Sequence, residues 1–351
     1  MCGWAAISFA AHLHITAIKN EKREAMSKYI FNRLLQIIPV LIGVTFLVFA
    51  LLSLSPGDPA QAILGVGAKP EELAMMREQL GLDDPMIMQY VRYMGNVVTG
   101  DFGTSYSTKQ PVLEMISFRL PNTLKLSFGA LFLIIIVSIP LGIVLAVKQN
   151  SIFDNVMRVV TLLLAAMPGF WLGLMLIILF SVKLGWLPSN GLESVKASIM
   201  PLICLSVAGV TTNSRLARAS MLDVIRQDYI RTARAKGLPY GLILRKHALK
   251  NALLPIVTSI GMAIGQCVGG SVVIETVFGI NGLGKMMVDA LRQKDIPTIM
   301  ASVIIAALII ALANLLTDLS YAVIDPRIRS MYVKPKAKRL TPAVKGQTQD
   351  L

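Results

Sequence analysis

One stretch carries the residue types of a phosphate site: Gly279-Ile280-Asn281-Gly282-Leu283-Gly284-Lys285-Met286. In a phosphate-binding loop the glycine N–H groups cradle the phosphates, the lysine reaches the terminal ones, and a closing Ser or Thr hydroxyl holds Mg²⁺. Here the closing residue is Met286, and no hydrophobic strand ending in an acid follows. The stretch reads as a glycine-rich turn between helices, so the chain is expected to contain no catalytic residue and to hydrolyse no ATP itself. Glu275 and Asp318 lie near or within apolar runs, as the acids of a proton relay do. Both sit near predicted helix ends, where water reaches them and a structural role suffices. His247 stands among Arg245, Lys246 and Lys250, a solvated basic face rather than a metal ligand. Cys2, Cys204 and Cys267 are scattered, and His12 and His14 are the remaining imidazoles. Neither a disulfide framework, a metal site nor a cofactor is expected in this chain.

The elements that position these residues are membrane spans. The 351 residues are 54% hydrophobic and only 15% charged, with a mean hydropathy of +0.65, whereas a soluble domain carries about 25% charge. The net charge of +14 does not point to nucleic acid, because the basic residues flank apolar runs instead of forming patches with stacking aromatics. Spanning the hydrocarbon core takes roughly 20 apolar residues in a helix. Six stretches qualify: Leu34–Leu54, Leu124–Val147, Val156–Val182, Ile199–Ala219, Ala252–Ile274 and Ile299–Ile324. The fourth is the weakest, since it runs into Asn213, Arg215 and Arg218. Lipid offers no partner to unpaired backbone groups, so the expected fold is an all-α membrane protein with six transmembrane helices.

Lys and Arg set the orientation. With both termini inside, the inner segments 1–33, 148–158, 215–250 and 323–351 hold 23 of the 34 basic residues, and the outer segments hold 10. This predicts a multi-pass protein of the cytoplasmic membrane, N-in and C-in, in contact with membrane lipid. Residues 1–25 read as an extension without a clear signal peptide, and 26–54 as a cytoplasmic start plus the first span. Segment 55–120 is extracytoplasmic, 121–325 is the transmembrane core with a cytoplasmic loop at 220–250, and 326–351 is a basic cytoplasmic tail. In the outer segment, Pro70-Glu71-Glu72-Leu73 starts a short helix, Gly81–Pro85 forms a turn, and Met86–Val98 suits a second helix.

The cytoplasmic loop between the fourth and fifth spans reads Asp228-Tyr229-Ile230-Arg231-Thr232-Ala233-Arg234-Ala235-Lys236-Gly237-Leu238 and continues through His247-Ala248-Leu249-Lys250-Asn251-Ala252-Leu253-Leu254-Pro255. The first part suits a short helix closed by Gly237 at a C-cap position. The second is a basic helix leading into a fifth span that is kinked at or begins at Pro255. A short helix presented on a loop is a handle: a partner that grips it moves the spans on both sides. Ala233 and Ala235 would let it seat in a groove, and the arginines would pair with acids on the rim. Its basic residues serve equally well to anchor the loop to anionic lipid, and composition does not separate the two readings.

This loop resembles the EAA motif of ABC importer permeases, in the version of the oligopeptide, dipeptide and nickel permease family. The similarity runs from about Met26 to Arg329. Further segments agree in order: Ser55-Pro56-Gly57-Asp58-Pro59, Gly81-Leu82-Asp83, Gly100–Ser105, Arg119-Leu120-Pro121-Asn122-Thr123, and Glu275-Thr276-Val277-Phe278 through Gly284. Counting back from Gly237, Arg231 stands where the broad motif has Glu and Thr232 where it has the first Ala. The resemblance implies a second permease subunit in a heterodimer, two cytoplasmic ATP-binding subunits that carry the ATPase activity, and an extracytoplasmic solute-binding protein. It implies that Arg231, Thr232, Ala233, Arg234, Ala235 and Gly237 couple to the ATPase, and that the solute is a peptide, with nickel, a metal chelate or glutathione as alternatives. A stand-alone secondary transporter or channel would need inverted repeats or clear intramembrane ionisable residues. In the fifth span, Gly261, Gly265 and Gly269 recur every fourth residue and share one helix face. Such a face allows close helix approach, either within this subunit or against the partner permease along the pathway.

Overall fold

The computed structural model describes residues 30–55, 57–65 and 67–324. The extension 1–25, the start at 26–29, Pro56 and the tail 326–351 lie outside the described residues. The described chain is helical, apart from turns and one antiparallel bridge between Thr104 and Pro111.

The first span is α1, Ile30–Leu54. The segment between the first two spans, expected to be the outer one, holds three short helices: α2 (Pro59–Leu64), α3 (Pro70–Leu80) and α4 (Met86–Val98). Their ends follow from local chemistry. Asp58 caps α2 by accepting from the Ala60 N–H at 3.0 Å. Pro70 starts α3, whose Glu72 side chain reaches back to the Lys69 N–H at 3.2 Å, and Gly81 ends it with a left-handed φ of 63°. Tyr90 of α4 is buried against Phe46 and Phe49 of α1, and its hydroxyl lies 2.9 Å from Thr45 Oγ1. The outer segment thus rests on the first span. Asp295 ties the outer loop to the start of the last helix, because its carboxylate accepts from the Ser105 and Thr298 hydroxyls and from the Tyr106 N–H. Burial and the nearby Asp295 charge push the Tyr106 phenol up to about 12.

The remaining spans are α5 (Val112–Val147), the pair α6 (Ile152–Ala166) and α7 (Gly169–Lys183), α8 (Val195–Ile225), α10 (Tyr240–Val277) and α12 (Ile296–Ile324). Short helices α9 (Asp228–Ala235) and α11 (Leu283–Gln293) sit between them. Among the described residues five helices are long and apolar enough to cross a membrane, or six where the bent pair counts as one span. The predicted third span, Val156–Val182, is therefore not one rod: it bends by 103° between Ala166 and Gly169. Pro168 donates no N–H and forces Met167 into an extended conformation (ψ 126°). The second span begins twelve residues before the predicted Leu124, at Val112, and takes Pro121 into its length. The fifth does not begin at Pro255: α10 runs continuously from Tyr240, with one wide π-type turn over Ile243–Ala248.

The bundle centre is the crossing of α5 and α8. A Cβ on Gly142 would overlap Ala217 and lie 2.7 Å from the Ser214 carbonyl oxygen. Such backbone contact is how small residues join helices in lipid. Outward faces are apolar: Phe128, Phe132 and Ile136 of α5 and Leu162 and Leu163 of α6 are all exposed in the isolated chain. A lipid-facing surface has this character.

Candidate coupling site

Helix α9 has eight residues, with Asp228 in its first turn and Arg234 in its last, both favourable to the helix dipole. Its end is a Schellman motif. Gly237 adopts φ +76° and donates to the Arg234 carbonyl at 2.9 Å, while Leu238 donates to the Ala233 carbonyl at 3.4 Å. The accompanying apolar contact is present, since Leu238 packs against the core that contains Ala233.

That core docks the helix. Ile230 and Ala233, three residues apart, are both buried. They pack with Ala146 of α5, Met221 of α8, and Ile243, Ala248 and Ala252 of α10. Ala233 therefore seats in this chain's own platform, not in a partner's groove, which corrects the sequence expectation: a small residue three positions from a buried isoleucine belongs to the inward face. Arg231, Thr232, Arg234, Ala235 and Gly237 are exposed. Arg231 lies 3.6 Å from Asp228, the Arg234 guanidinium stacks 5.1 Å from the Tyr240 ring centre, and the Thr232 hydroxyl bonds back to the Asp228 carbonyl. Asn251 of α10 donates to the Tyr229 hydroxyl at 2.9 Å. The result is a cationic, small-residue surface on a rigid mount joined to α5, α8 and α10.

The platform has a second tie that the sequence reading missed. Asp154, in the first turn of α6, is fully buried. Its carboxylate accepts from Arg218 Nε and a terminal guanidinium nitrogen, both at 2.8 Å, and from the Asn150 N–H at 3.0 Å. The available signal was a lone acid after a short connection between spans, following Ser151 at a capping position, with Arg218 near the end of a distant span.

The phosphate-loop lookalike proves to be a cradle for an internal anion. Glu275, fully buried near the end of α10, receives the Thr123 hydroxyl at 2.6 Å and the Lys285 N–H at 2.9 Å, while Thr123 in turn accepts from the Leu283 N–H at 2.8 Å. The N-terminus of α11 thus encloses a carboxylate. Gly282 and Gly284 make room: a Cβ on Gly282 would overlap the Glu275 carboxyl, and one on Gly284 would lie 3.0 Å from Oε2. Asp318 is also partnered, 3.2 Å from Arg33 of α1. The glycine face of α10 meets α12 within this chain. A Cβ on Gly261 would overlap Thr317, one on Gly265 would lie 3.4 Å from Ile310 Cγ2, and one on Gly269 would meet nothing within 4 Å. Of the two contacts the sequence leaves open for this face, packing within this subunit is the one seen at Gly261 and Gly265, against α12.

A polytopic helical bundle that mounts a short cationic helix between its fourth and fifth spans defines a transporter membrane subunit as a class. Residues 138–330 match the family "Binding-protein-dependent transport system inner membrane component", and residues 26–127 match the N-terminal model of the same systems. The chain belongs to that family. It is 42% identical over 314 residues to the oligopeptide transport system permease protein AppB of Bacillus subtilis (strain 168), covering 86% of this chain and 99% of that protein. It is 40% identical to the dipeptide transport system permease protein DppB of Alkalihalophilus pseudofirmus, covering 87% and 100%. The glutathione transport system permease protein GsiC of Escherichia coli (strain K12) is 40% identical over 304 residues, covering 87% and 99%. Among solved structures, the MetNI methionine ABC transporter in an inward-facing form aligns with a TM-score of 0.53 at 20% identity, over 61% of this chain and 98% of that one, which supports the fold. The chain is an ABC importer permease, a non-enzymatic integral protein of the inner membrane that works with other subunits of its transport system.

Proposed function

We propose that this permease forms half the translocation pathway of an ATP-driven importer for short peptides, including glutathione-like ones, and that α9 is where a cytoplasmic ATPase subunit grips it. The observation that carries the reading is the division of α9 into a docked face, Ile230 and Ala233, and an exposed cationic face, Arg231, Arg234 and Lys236. A helix held rigidly by its own chain on one side and left open on the other is built to receive a partner and pass on its motion. The names of the relatives support the peptide class over nickel. The ATPase activity belongs to the partner subunits, the second permease is a related but distinct chain, and an external binding protein delivers the solute. Both termini lie inside, in keeping with the excess of Lys and Arg in the inner segments. The acids of the spans are held in structural pairs, Glu275 with Thr123 and Asp318 with Arg33, which disfavours a stand-alone proton-driven carrier.

The test is uptake by the complex reconstituted with its ATPases, second permease and binding protein, using labelled dialanine, glutathione and Ni²⁺. ATP-dependent accumulation of a peptide supports the reading. Accumulation of Ni²⁺ alone, or uptake driven by a proton gradient without ATP, overturns it. Cysteines placed at Lys109 and Lys236 check the orientation: a membrane-impermeant thiol reagent is expected to label position 109 and not 236 in intact cells.

A further inference from the structure

Helix α6 has little apolar reason to stay on the bundle. Of its fifteen residues only Asp154 and Thr161 are buried, and Ile152, Val156, Val159, Leu162 and Leu163 point outward. In lipid, apolar side chains feel no hydrophobic drive to leave the acyl chains, and only close packing or polar contacts hold a helix to its neighbours. The Thr161 hydroxyl bonds to the Arg158 carbonyl of its own helix, so it fastens α6 to nothing else. The fastening is Asp154, held at both carboxylate oxygens by Arg218, with Arg158 at 3.9 Å on its own helix.

Arg218 occupies a particular place on α8. α5 comes close to the backbone of α8 here: a Cβ on Gly142 would lie 3.0 Å from the Arg218 backbone nitrogen. One turn further on, Met221 enters the core under the coupling helix. The side chain that holds α6 is therefore rooted in the platform that carries α9.

The other end of the bent pair lands elsewhere. Leu172, Leu176, Ile177 and Phe180 of α7 pack with Ile274, Phe278 and Ile280 at the outer end of α10. A Cβ on Gly173 would stand 3.2 Å from both Val277 and Phe278. The pair is thus an arm whose α6 limb is fastened to the coupling platform by one buried ion pair, while its α7 limb packs on Leu126 of α5, Met200 and Cys204 of α8 and the outer end of α10. Its bend of 103° is at Met167-Pro168, where Pro168 supplies no N–H.

We propose that the Asp154–Arg218 pair is the joint through which motion of the coupling platform is handed to the α6–α7 arm, which makes Asp154 and Arg218 positioning residues of the transport cycle. This rests on reading α9 as the coupling helix. A buried bidentate pair suits the role because it fixes angle as well as distance, and α6, exposed along most of its length, has little else to hold it against the pull of the joint. The wide π-type turn in α10 beside α9 leaves that helix able to flex, so α10 alone does not dictate where the arm goes.

The test uses the assembled complex in lipid nanodiscs, with the three native cysteines replaced. Spin-label pairs at Lys236 and Leu291, and at Val156 and Leu291, report the positions of α9 and α6 against the outer helix α11, nucleotide-free and trapped with ATP and vanadate. All three sites are exposed. Both distances are expected to change on trapping by about 2 Å or more, the scale of helix shifts in such switches. In Asp154→Asn the α9 change persists and the α6 change falls below half. The exchanged pair Asp154→Arg with Arg218→Asp restores it, and the separation of a persisting α9 change from a lost α6 change is what a merely structural role does not predict. Should Asp154→Asn fail to assemble, the neutral pair Asp154→Asn with Arg218→Gln leaves no orphaned charge and carries the same expectation. If α9 moves but the α6 change is absent, or is untouched in the variants, the joint is overturned while the coupling reading stands. If α9 itself does not move on trapping, the coupling reading falls, and the joint with it.

Discussion

Two connections of this chain carry the residue types of a binding site, and the fold uses them in opposite ways. The turn at 279–286 carries nearly every residue of a phosphate loop, yet its N–H groups close on Glu275 of the same chain. The helix at 228–235 has no such signature, yet it holds its arginines and Ala235 outward while Ile230 and Ala233 dock it. The contrast teaches that backbone donors at a helix N-terminus accept whatever anion is nearest. An acid four residues before the first glycine, on the preceding helix, is enough to turn a ligand motif into a structural one. Conversely, a helix whose burial is confined to one face has its other face free for a partner.

The largest effect should come from emptying the cradle. In Glu275→Ala the N–H of Lys285 and the Thr123 hydroxyl lose their shared acceptor in a buried place, at a cost of about 1–3 kcal/mol for each unsatisfied group. Gly282→Ala should behave alike, since its Cβ would overlap the carboxyl. Both variants are expected to lose much of their thermal stability in detergent, measured by retention of the monodisperse peak after heating. A Glu275→Ala protein as stable as the parent would break the comparison, because the loop would then be free to serve an external ligand.

Ala233→Asp comes next and separates the two faces of α9. It places a charge in the core with Ile230, Met221 and Ile243, which costs several kcal/mol unless the helix undocks. Undocking should appear as protease cleavage within 228–238 and as lost assembly. Ala235→Asp, on the exposed face, should leave stability within about 0.5 kcal/mol but cut the ATP hydrolysis stimulated by solute-loaded binding protein several-fold. Equal behaviour of the two variants would mean that α9 has no inner and outer face.

The glycine stripe grades the same logic. Gly261→Ala should destabilise the α10–α12 contact by about 1–3 kcal/mol, the cost of overpacking, since its Cβ would overlap Thr317. Gly269→Ala meets open space and should be nearly neutral in thermal stability and in transport. Loss of transport in Gly269→Ala with normal stability would return that single position to the partner interface.

Much of this was legible in the sequence, and the misses have identifiable causes. Apolar length located the spans, and Pro70, Gly81 and Gly237 marked helix ends, because each acts through local backbone geometry. The bend at Pro168 was hidden in a continuous apolar run from Val159 to Val182, where hydropathy is blind to a lost N–H. The early start of α5 was hidden because residues 112–123 are amphipathic and contain Pro121. The orientation of Ala233 was readable from its spacing to Ile230, but a small residue fits a partner's groove and a home core equally well. Asp154 and Arg218 lie sixty-four positions apart, and no local pattern joins them.

The smallest expected effect is the sharpest test of the comparison. Lys285 is the residue on which a phosphate-loop reading depends, since its ammonium would reach the terminal phosphates. In this fold only its backbone N–H serves the cradle, donating to Glu275 at 2.9 Å. Its side chain reaches outward to Asn281 Oδ1 at 3.4 Å, a long contact at the surface. Alanine keeps the backbone donor and helix propensity and removes only that contact, so Lys285→Ala should change stability by no more than about 0.5 kcal/mol. ATP hydrolysis and peptide uptake by the assembled complex should match the parent, and the purified chain alone should hydrolyse no ATP in either form. A complex that assembles normally but loses hydrolysis in Lys285→Ala would show that the turn holds a nucleotide after all. Parity of Lys285→Ala with the parent, set beside the collapse of Glu275→Ala, would establish that this loop's chemistry is spent on its own carboxylate.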